Sequence, residues 1–248
     1  MFQFPQKIKG WLSLQEGKVL YELAKKNHSA GWVVELGSYY GKSTICLAQG
    51  ARDARKQKVL AVDRFTGGAD IGPETNFYHR FIKNVNEFDL QDWVVAVKGD
   101  TAEKARIWRV PIRLLFIDAS HDYSSVRRDF KAWQEYLIDG GVIVFHDSVD
   151  RPGVHMLVRE LILSGRYTNV VTHRDPQSTG LTYFVRSPVR VSIFQRWIFL
   201  VRFELISLPK VPGRILQSIK DRGEESISFR VAILMKHFLQ KLTTRKER

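Results

Sequence analysis

Two glycines frame the first stretch of this chain that could do chemistry. They lie in Val33-Val34-Glu35-Leu36-Gly37-Ser38-Tyr39-Tyr40-Gly41-Lys42-Ser43, where an apolar run ends and a helix-compatible segment begins near Lys42 or Ser43. Glycine lets the backbone come close to a ligand and adopt positive φ. The helix start offers unpaired N–H groups to an anionic part of that ligand. Dinucleotide loops need G-x-G-x-x-G, which the G-x-x-x-G here lacks. A phosphate-binding P-loop needs G-x4-G-K-[ST]. Gly37 to Ser43 is one residue short of it, with Leu36 where the first glycine should be, although Leu114-Leu115-Phe116-Ile117-Asp118 could pass for its partner strand. The third pattern is acidic-x-Gly-x3-Gly, which on its own also fits any tight strand-to-helix turn.

A second group is titratable. Ile117-Asp118-Ala119-Ser120-His121-Asp122-Tyr123 and Gly140-Gly141-Val142-Ile143-Val144-Phe145-His146-Asp147 each end an apolar run in ionisable residues. Asp63 ends another run, 28 positions after Glu35, where a carboxylate can accept both hydroxyls of a ribose. Gly99-Asp100-Thr101 closes one more, with Asp100 equally suited to capping the next helix.

These residues need a frame. Trp32–Leu36, Lys58–Asp63, Trp93–Lys98, Ile112–Asp118 and Gly141–His146 read as buried parallel strands. Helical patterns fall between them at Ser43–Arg55, Glu74–Phe88 and Tyr123–Ile138. The last of these sets Val126, Phe130, Trp133 and Leu137 on one face. Another helix starts near Pro152 and ends at Gly165. Tyr167–Thr172 and Leu181–Val185 are strand-like, and no helix fits between them, so they should run antiparallel. The expected fold is α/β and Rossmann-like, a mostly parallel sheet with an antiparallel last strand and a helical C-terminal appendage. Ligands of such sheets sit beyond the carboxyl ends of the strands, which gathers Asp118, His121, His146 and Asp147 near the glycine loop.

The loop resembles motif I of the class I methyltransferases, which bind S-adenosylmethionine (SAM). I-D-x-x-H-x-Y with G-G-V-I-V-F-H-D resembles a family that includes macrolide-sugar O-methyltransferases and cephalosporin hydroxylase-like relatives, over about residues 15–187. The resemblance implies SAM contacts at Glu35, Gly37, Ser38, Tyr40, Gly41, Ser43, Asp63, Asp100, Thr101 and Asp118. It implies His121 as general base, with Asp118 beside it. A sugar hydroxyl is a poor nucleophile until its proton is taken, and an imidazole can take it near neutral pH. Metal-dependent relatives hold a divalent cation at positions matching Asp118, His146 and Asp147. His146 departs from their usual carboxylate, which suits Mg²⁺ less than Mn²⁺ or Fe²⁺. Without a metal, His146 would shape the pocket and Asp147 would cap a turn. The implied activity is O-methylation of a hydroxyl on a sugar or other small molecule, in a glycan or natural-product pathway. A P-loop NTPase and a non-catalytic interaction protein that keeps the fold are the competing readings.

Composition bounds the rest. The 248 residues suffice for one α/β domain with added helix, divided as an N-terminal helical segment (1–30), a SAM-binding domain (31–187) and an extension (188–248). A single cysteine, Cys46, allows no internal disulfide, which fits a reducing compartment. With no signal-peptide pattern and no apolar run of ~18 residues free of charge, a cytoplasmic location is expected. The net charge is +13, and residues 188–248 hold 13 Lys and Arg against 5 Asp and Glu. Val191–Leu208 and Ile215–Leu242 are helix-compatible there. Such a tail can pack on the domain, join a second subunit in a homo-oligomer, or lie peripherally on an anionic membrane. No nucleic-acid-binding module is visible in it. The segment Arg64–Asn76, with Gly67, Gly68, Gly72 and Pro73, is either a cover for the ligand or an ordinary long connection.

Overall fold

The computed structural model describes residues 2–26, 30–55, 57–66, 77–175 and 178–207. The connection at 67–76 and the second tail helix at 215–242 lie outside the described residues. Strands β1 (Trp32–Leu36), β2 (Val59–Asp63), β3 (Val94–Lys98), β4 (Ile112–Ile117) and β5 (Leu137–Phe145) are parallel, each to its neighbours. Strands β6 (Tyr167–His173) and β7 (Leu181–Arg186) follow, and β7 runs antiparallel to both β5 and β6. The sheet order is β3-β2-β1-β4-β5-β7-β6. The direct link between β6 and β7 produces the antiparallel ending.

Both faces of this sheet are covered, which is why its central strands are continuous apolar runs. All six residues of β4 are buried. Alternate side chains of β1, β4 and β5 enter opposite cores. Leu36, Ile117 and Phe145 meet Trp133, Leu157 and Phe203 on one side, and Val33, Phe116 and Val144 meet Leu20, Ile45 and Phe81 on the other. The first side is built by α5 (Tyr123–Trp133), α6 (Pro152–Ser164) and α7 (Ile193–Ser207). The second is built by α1 (Leu14–Lys26), α2 (Lys42–Asp53) and α3 (Phe77–Glu87). A short α4 (Thr101–Ala105) follows β3.

One expectation needs correction. The helix drawn to Ile138 ends at Trp133, passes through a single 3-10 turn (Gln134–Tyr136) and becomes β5 at Leu137. Leu137 continues the helical apolar spacing, but it pairs with Ile112 on β4. Gly140, at φ 76, then lets the strand shift register. Of the outcomes open to the C-terminal extension, its first helix takes packing on the domain, as the N-terminal helix also does. Helix α1 lies so close on α2 that a side chain at Gly50 would strike the backbone oxygen of Tyr21. Helix α7 packs on α6 and β6 and puts Leu200 and Phe203 into the core, while Ile193, Phe194 and Trp197 stay exposed. No helix among the described residues is long and apolar enough to cross a membrane.

Candidate active site

The site begins at the turn between β1 and α2. Gly37 has φ +87, and a Cβ there would collide with the backbone oxygen of Asp118, so the β1 and β4 ends can meet only around a glycine. Gly41, at φ 88, opens α2. Between them Tyr39 holds φ 48, a left-handed conformation costly for a non-glycine residue. Asp63 helps hold it there. Its Oδ2 accepts from Ser38 N (2.7 Å) and Tyr39 N (2.9 Å), and its Oδ1 accepts from Phe65 N (2.7 Å). The P-loop reading fails at this point, because two N–H groups that would cradle a phosphate already face a carboxylate.

Glu35 supports the turn from behind. It is fully buried and accepts hydrogen bonds from the hydroxyls of Ser38 (2.8 Å), Ser43 (2.5 Å) and Thr44. Burial pushes its carboxyl up to about 7 despite those donors. Asp100 caps α4 by accepting from Ala102 N and Glu103 N, and pairs with Arg64 and Arg128. Thr101 donates its hydroxyl to Asp129 (2.6 Å).

The titratable group lies across a cleft of about 640 Å³ from this turn, a size ordinary for small-molecule sites. His121 Nε2 stands 2.7 Å from Asp147 Oδ2. His146 is buried behind them, its Nδ1 3.2 Å from Asp118 Oδ1 and 3.5 Å from Asp147 Oδ2. Its Nε2 faces Glu16 Oε2 at 3.5 Å. Burial alone would lower the His146 pKa, but the charge and hydrogen bond of Asp118, with those of Asp147 and Glu16, raise it well above 6.5. The three carboxylates around it thus favour the protonated form of the His146 ring. Burial likewise opposes ionisation of Asp147, and the bonds to His121 and His146 overcome it and hold the acid far below its usual range. Burial raises Asp118. The hydrogen bond to Asp147 raises His121.

Of the residues expected at the cofactor, Gly37, Ser38, Ser43, Asp63, Thr101 and Asp118 line the cleft. Glu35, Tyr40, Gly41 and Asp100 do not. Glu35 and Gly41 shape the turn, Tyr40 stacks on Phe77, and Asp100 is occupied by its helix and two arginines. The metal expectation names Asp118, His146 and Asp147. The ligand atoms that converge, within 4.8 Å of one another, belong to Asp118, His121 and Asp147. His146 lies buried behind them, its Nδ1 toward Asp118 and Asp147 and its Nε2 toward Glu16. The chain turns sharply at Asp147, φ 58, which brings that carboxylate round to His121.

Glu16 was not legible as a site residue. Ser13-Leu14-Gln15-Glu16 forms a capping box, with Ser13 N donating to Glu16 Oε2 (2.9 Å) and Glu16 N donating to Ser13 Oγ (3.2 Å). That sequence signal explains the helix start. It does not reveal that the same carboxylate also receives the Ser178 hydroxyl and faces His146.

Residues 34–148 match a family model described as a methyltransferase domain. The fold is α/β and Rossmann-like, and solved methyltransferases share it. Among solved methyltransferases, an O-methyltransferase from Bacillus cereus in complex with SAH is 21% identical, with TM-score 0.55 over 71% of this chain and 82% of its own. The tomaymycin-synthesis O-methyltransferase of Streptomyces achromogenes, in complex with SAM, is 20% identical, with TM-score 0.55 over 71% and 81%. A TDP-rhamnose 3'-O-methyltransferase of calicheamicin biosynthesis is 18% identical, with TM-score 0.51 over 71% and 79%. Curated relatives are an uncharacterized protein of Sinorhizobium fredii, 30% identical over 118 residues, and one of Acanthamoeba polyphaga mimivirus, 28% identical over 145. These alignments take in 47% and 54% of this chain, and the chain spans 13% and 62% of those relatives.

Proposed function

We propose that the chain is a SAM-dependent O-methyltransferase acting on a hydroxyl of a sugar or other small molecule. The observation that carries the reading is one cleft with two chemically different ends. The Gly37 turn and Asp63 stand at one, and the His121–Asp147 pair at the other. The O-methyltransferases of similar fold, one of them acting on TDP-rhamnose, support the same reading.

The residues fit the cofactor. Among the described residues Asp63 Oδ1 accepts one hydrogen bond, from Phe65 N, and keeps a lone pair for a ribose hydroxyl. Gly37 and Ser38 of the turn line the cleft beside Asp63. SAM, when bound, supplies a methyl group on a sulfonium. The chain supplies placement and a proton acceptor. Asp147 receives the Nε2 proton of His121 and fixes the ring, which makes Nδ1 the basic nitrogen of the neutral imidazole. A base so oriented takes the hydroxyl proton as the oxygen attacks, a contribution of about 10²–10⁴ in rate. Positioning of the two reactants supplies much of the remainder.

Asp118, His121 and Asp147 also fit a divalent cation, since two carboxylates and an imidazole are a donor set that Mn²⁺ and Fe²⁺ accept. Such an ion would lower the hydroxyl pKa. The 2.7 Å contact of His121 with Asp147 favours the base reading, because the pair already has the geometry that role needs. Calorimetric titration of the chain with SAM and with ATP tests the proposal. SAM is expected to bind and ATP is not; failure to bind SAM at millimolar concentration would sink it. If SAM binds but His121→Ala and Asp118→Ala turn over normally, the roles assigned to those residues are wrong.

A further inference from the structure

The charges along the cleft are unequally used. Its five carboxylates all have partners. Asp63 holds the turn, Asp118 and Asp147 hold histidines, Asp122 caps α5 by accepting from Ser125 N, and Asp129 takes the Thr101 hydroxyl. Among the cations, Lys42 donates to the backbone oxygen of Gly10 (3.1 Å), and Arg64 and Arg128 pair with Asp100. Lys9 and Arg151 line the same cleft and are exposed, and neither side chain pairs with another group among the described residues. Arg151 is close enough to act electrostatically on His121.

An aromatic surface stands on the same cleft. Trp11 is 62% exposed, and its ring lies 5.6 Å from Tyr39. Its exposure is not a sign of a loose segment. Leu12 is buried beside it, and Lys42 ties down Gly10. An indole held out on a fixed segment costs solvation of a large apolar face unless something covers it.

We propose that the acceptor is an anionic sugar, its ring lying on Trp11 and its phosphate or carboxylate held by Lys9 and Arg151. The inference rests on the methyl-transfer reading and narrows its substrate class. A sugar ring has an apolar face for the indole and hydroxyls for His121. An anion satisfies two cations that the protein leaves unpaired. SAM is a poor partner for that pair, since its carboxylate comes with a sulfonium and an ammonium and its net charge is positive. Anchoring at the charged end also selects which ring hydroxyl reaches the base.

The test is calorimetry on the full chain saturated with S-adenosylhomocysteine, titrated separately with glucose 1-phosphate, glucuronate and methyl glucoside. The charged sugars are expected to bind at least about tenfold more tightly than methyl glucoside, the ratio worth one charge-assisted hydrogen bond. The order of the two charged sugars tells phosphate from carboxylate. In the double variant Lys9→Gln, Arg151→Gln that preference disappears while S-adenosylhomocysteine affinity is unchanged. Trp11→Ala weakens all three sugars by roughly fivefold. Equal binding of methyl glucoside, or no sugar binding to a chain that does bind S-adenosylhomocysteine, overturns the inference and leaves the methyl-transfer reading standing. A double variant that instead loses S-adenosylhomocysteine assigns the cations to the cofactor and also overturns it. A wild-type chain that binds no S-adenosylhomocysteine overturns both.

Discussion

Replacing Glu35 by glutamine should make the protein more resistant to mild alkali. The carboxyl is fully buried, and its pKa is near 7 against 4.5 in the unfolded chain. The folded state therefore binds more protons than the unfolded state between those values, and stability falls as pH rises through that window. The difference of about 2.5 pKa units corresponds to about 3 kcal/mol lost between pH 4.5 and 8. Glutamine keeps one oxygen to accept from Ser38 and Thr44, and the Ser43 hydroxyl can turn to accept from the new amide. It cannot ionise, so the loss vanishes. Urea unfolding of wild type and Glu35→Gln at pH 5 and pH 8 measures the effect. The variant should gain about 2.5 kcal/mol relative to wild type on going from the lower to the higher pH, or roughly 5–10 °C in Tm for a chain of this size. Parallel pH profiles for the two proteins would show that Glu35 ionises as freely folded as unfolded, and the reasoning from its burial would be refuted.

Other predictions follow from the same electrostatics. Glu16→Ala leaves the His146 imidazolium without one of its buried carboxylates and should cost about 3–5 kcal/mol by urea unfolding at pH 7. Because the Glu16 pKa is lowered below 4.5 and that of His146 is raised above 6.5, this cost should shrink both below pH 4.5 and above the raised His146 value. A profile that is flat from pH 3 to 10 would deny the pairing. The rate of methyl transfer should rise with pH through a midpoint above 6.5, since Asp147 raises His121 and the base must be neutral. His121→Ala should lower kcat by about 10²–10⁴ and remove that limb, whereas a variant with wild-type kcat would move the base elsewhere. Turnover should survive dialysis against EDTA; a loss restored by Mn²⁺ would give Asp118, His121 and Asp147 to a metal instead.

The strands were readable because burial on both faces writes itself into the sequence. Every residue of β4 is apolar except Arg113, and each central strand came out within a residue or two except β5. The start of β5 was hidden because Leu137 satisfies both the helical spacing of α5 and a strand partner on β4, and only the tertiary pairing decides between them. At the site, sequence placed Asp118, His121, His146 and Asp147 at one rim, and the structure does bring them together. It could not tell the inward histidine from the outward one. That depends on where β5 stops and on the left-handed turn at Asp147, neither of which follows from residue types. Glu35 and Asp63 were found by motif, but their work in tying down the Tyr39 turn depends on neighbours that only folding supplies.

Glu16 has a practical consequence for anyone who would cut or recombine this protein. The family match begins at residue 34 and ends at 148, and Glu16 and its partner Ser178 fall on opposite sides of that window. A fragment trimmed to the match would retain the glycine turn and the His121–Asp147 pair. It would also strand the buried charge of His146 and lose β6 and β7. Chimeras that graft a foreign acceptor region should therefore join before Ser13 and after α7, so that the brace crosses no seam.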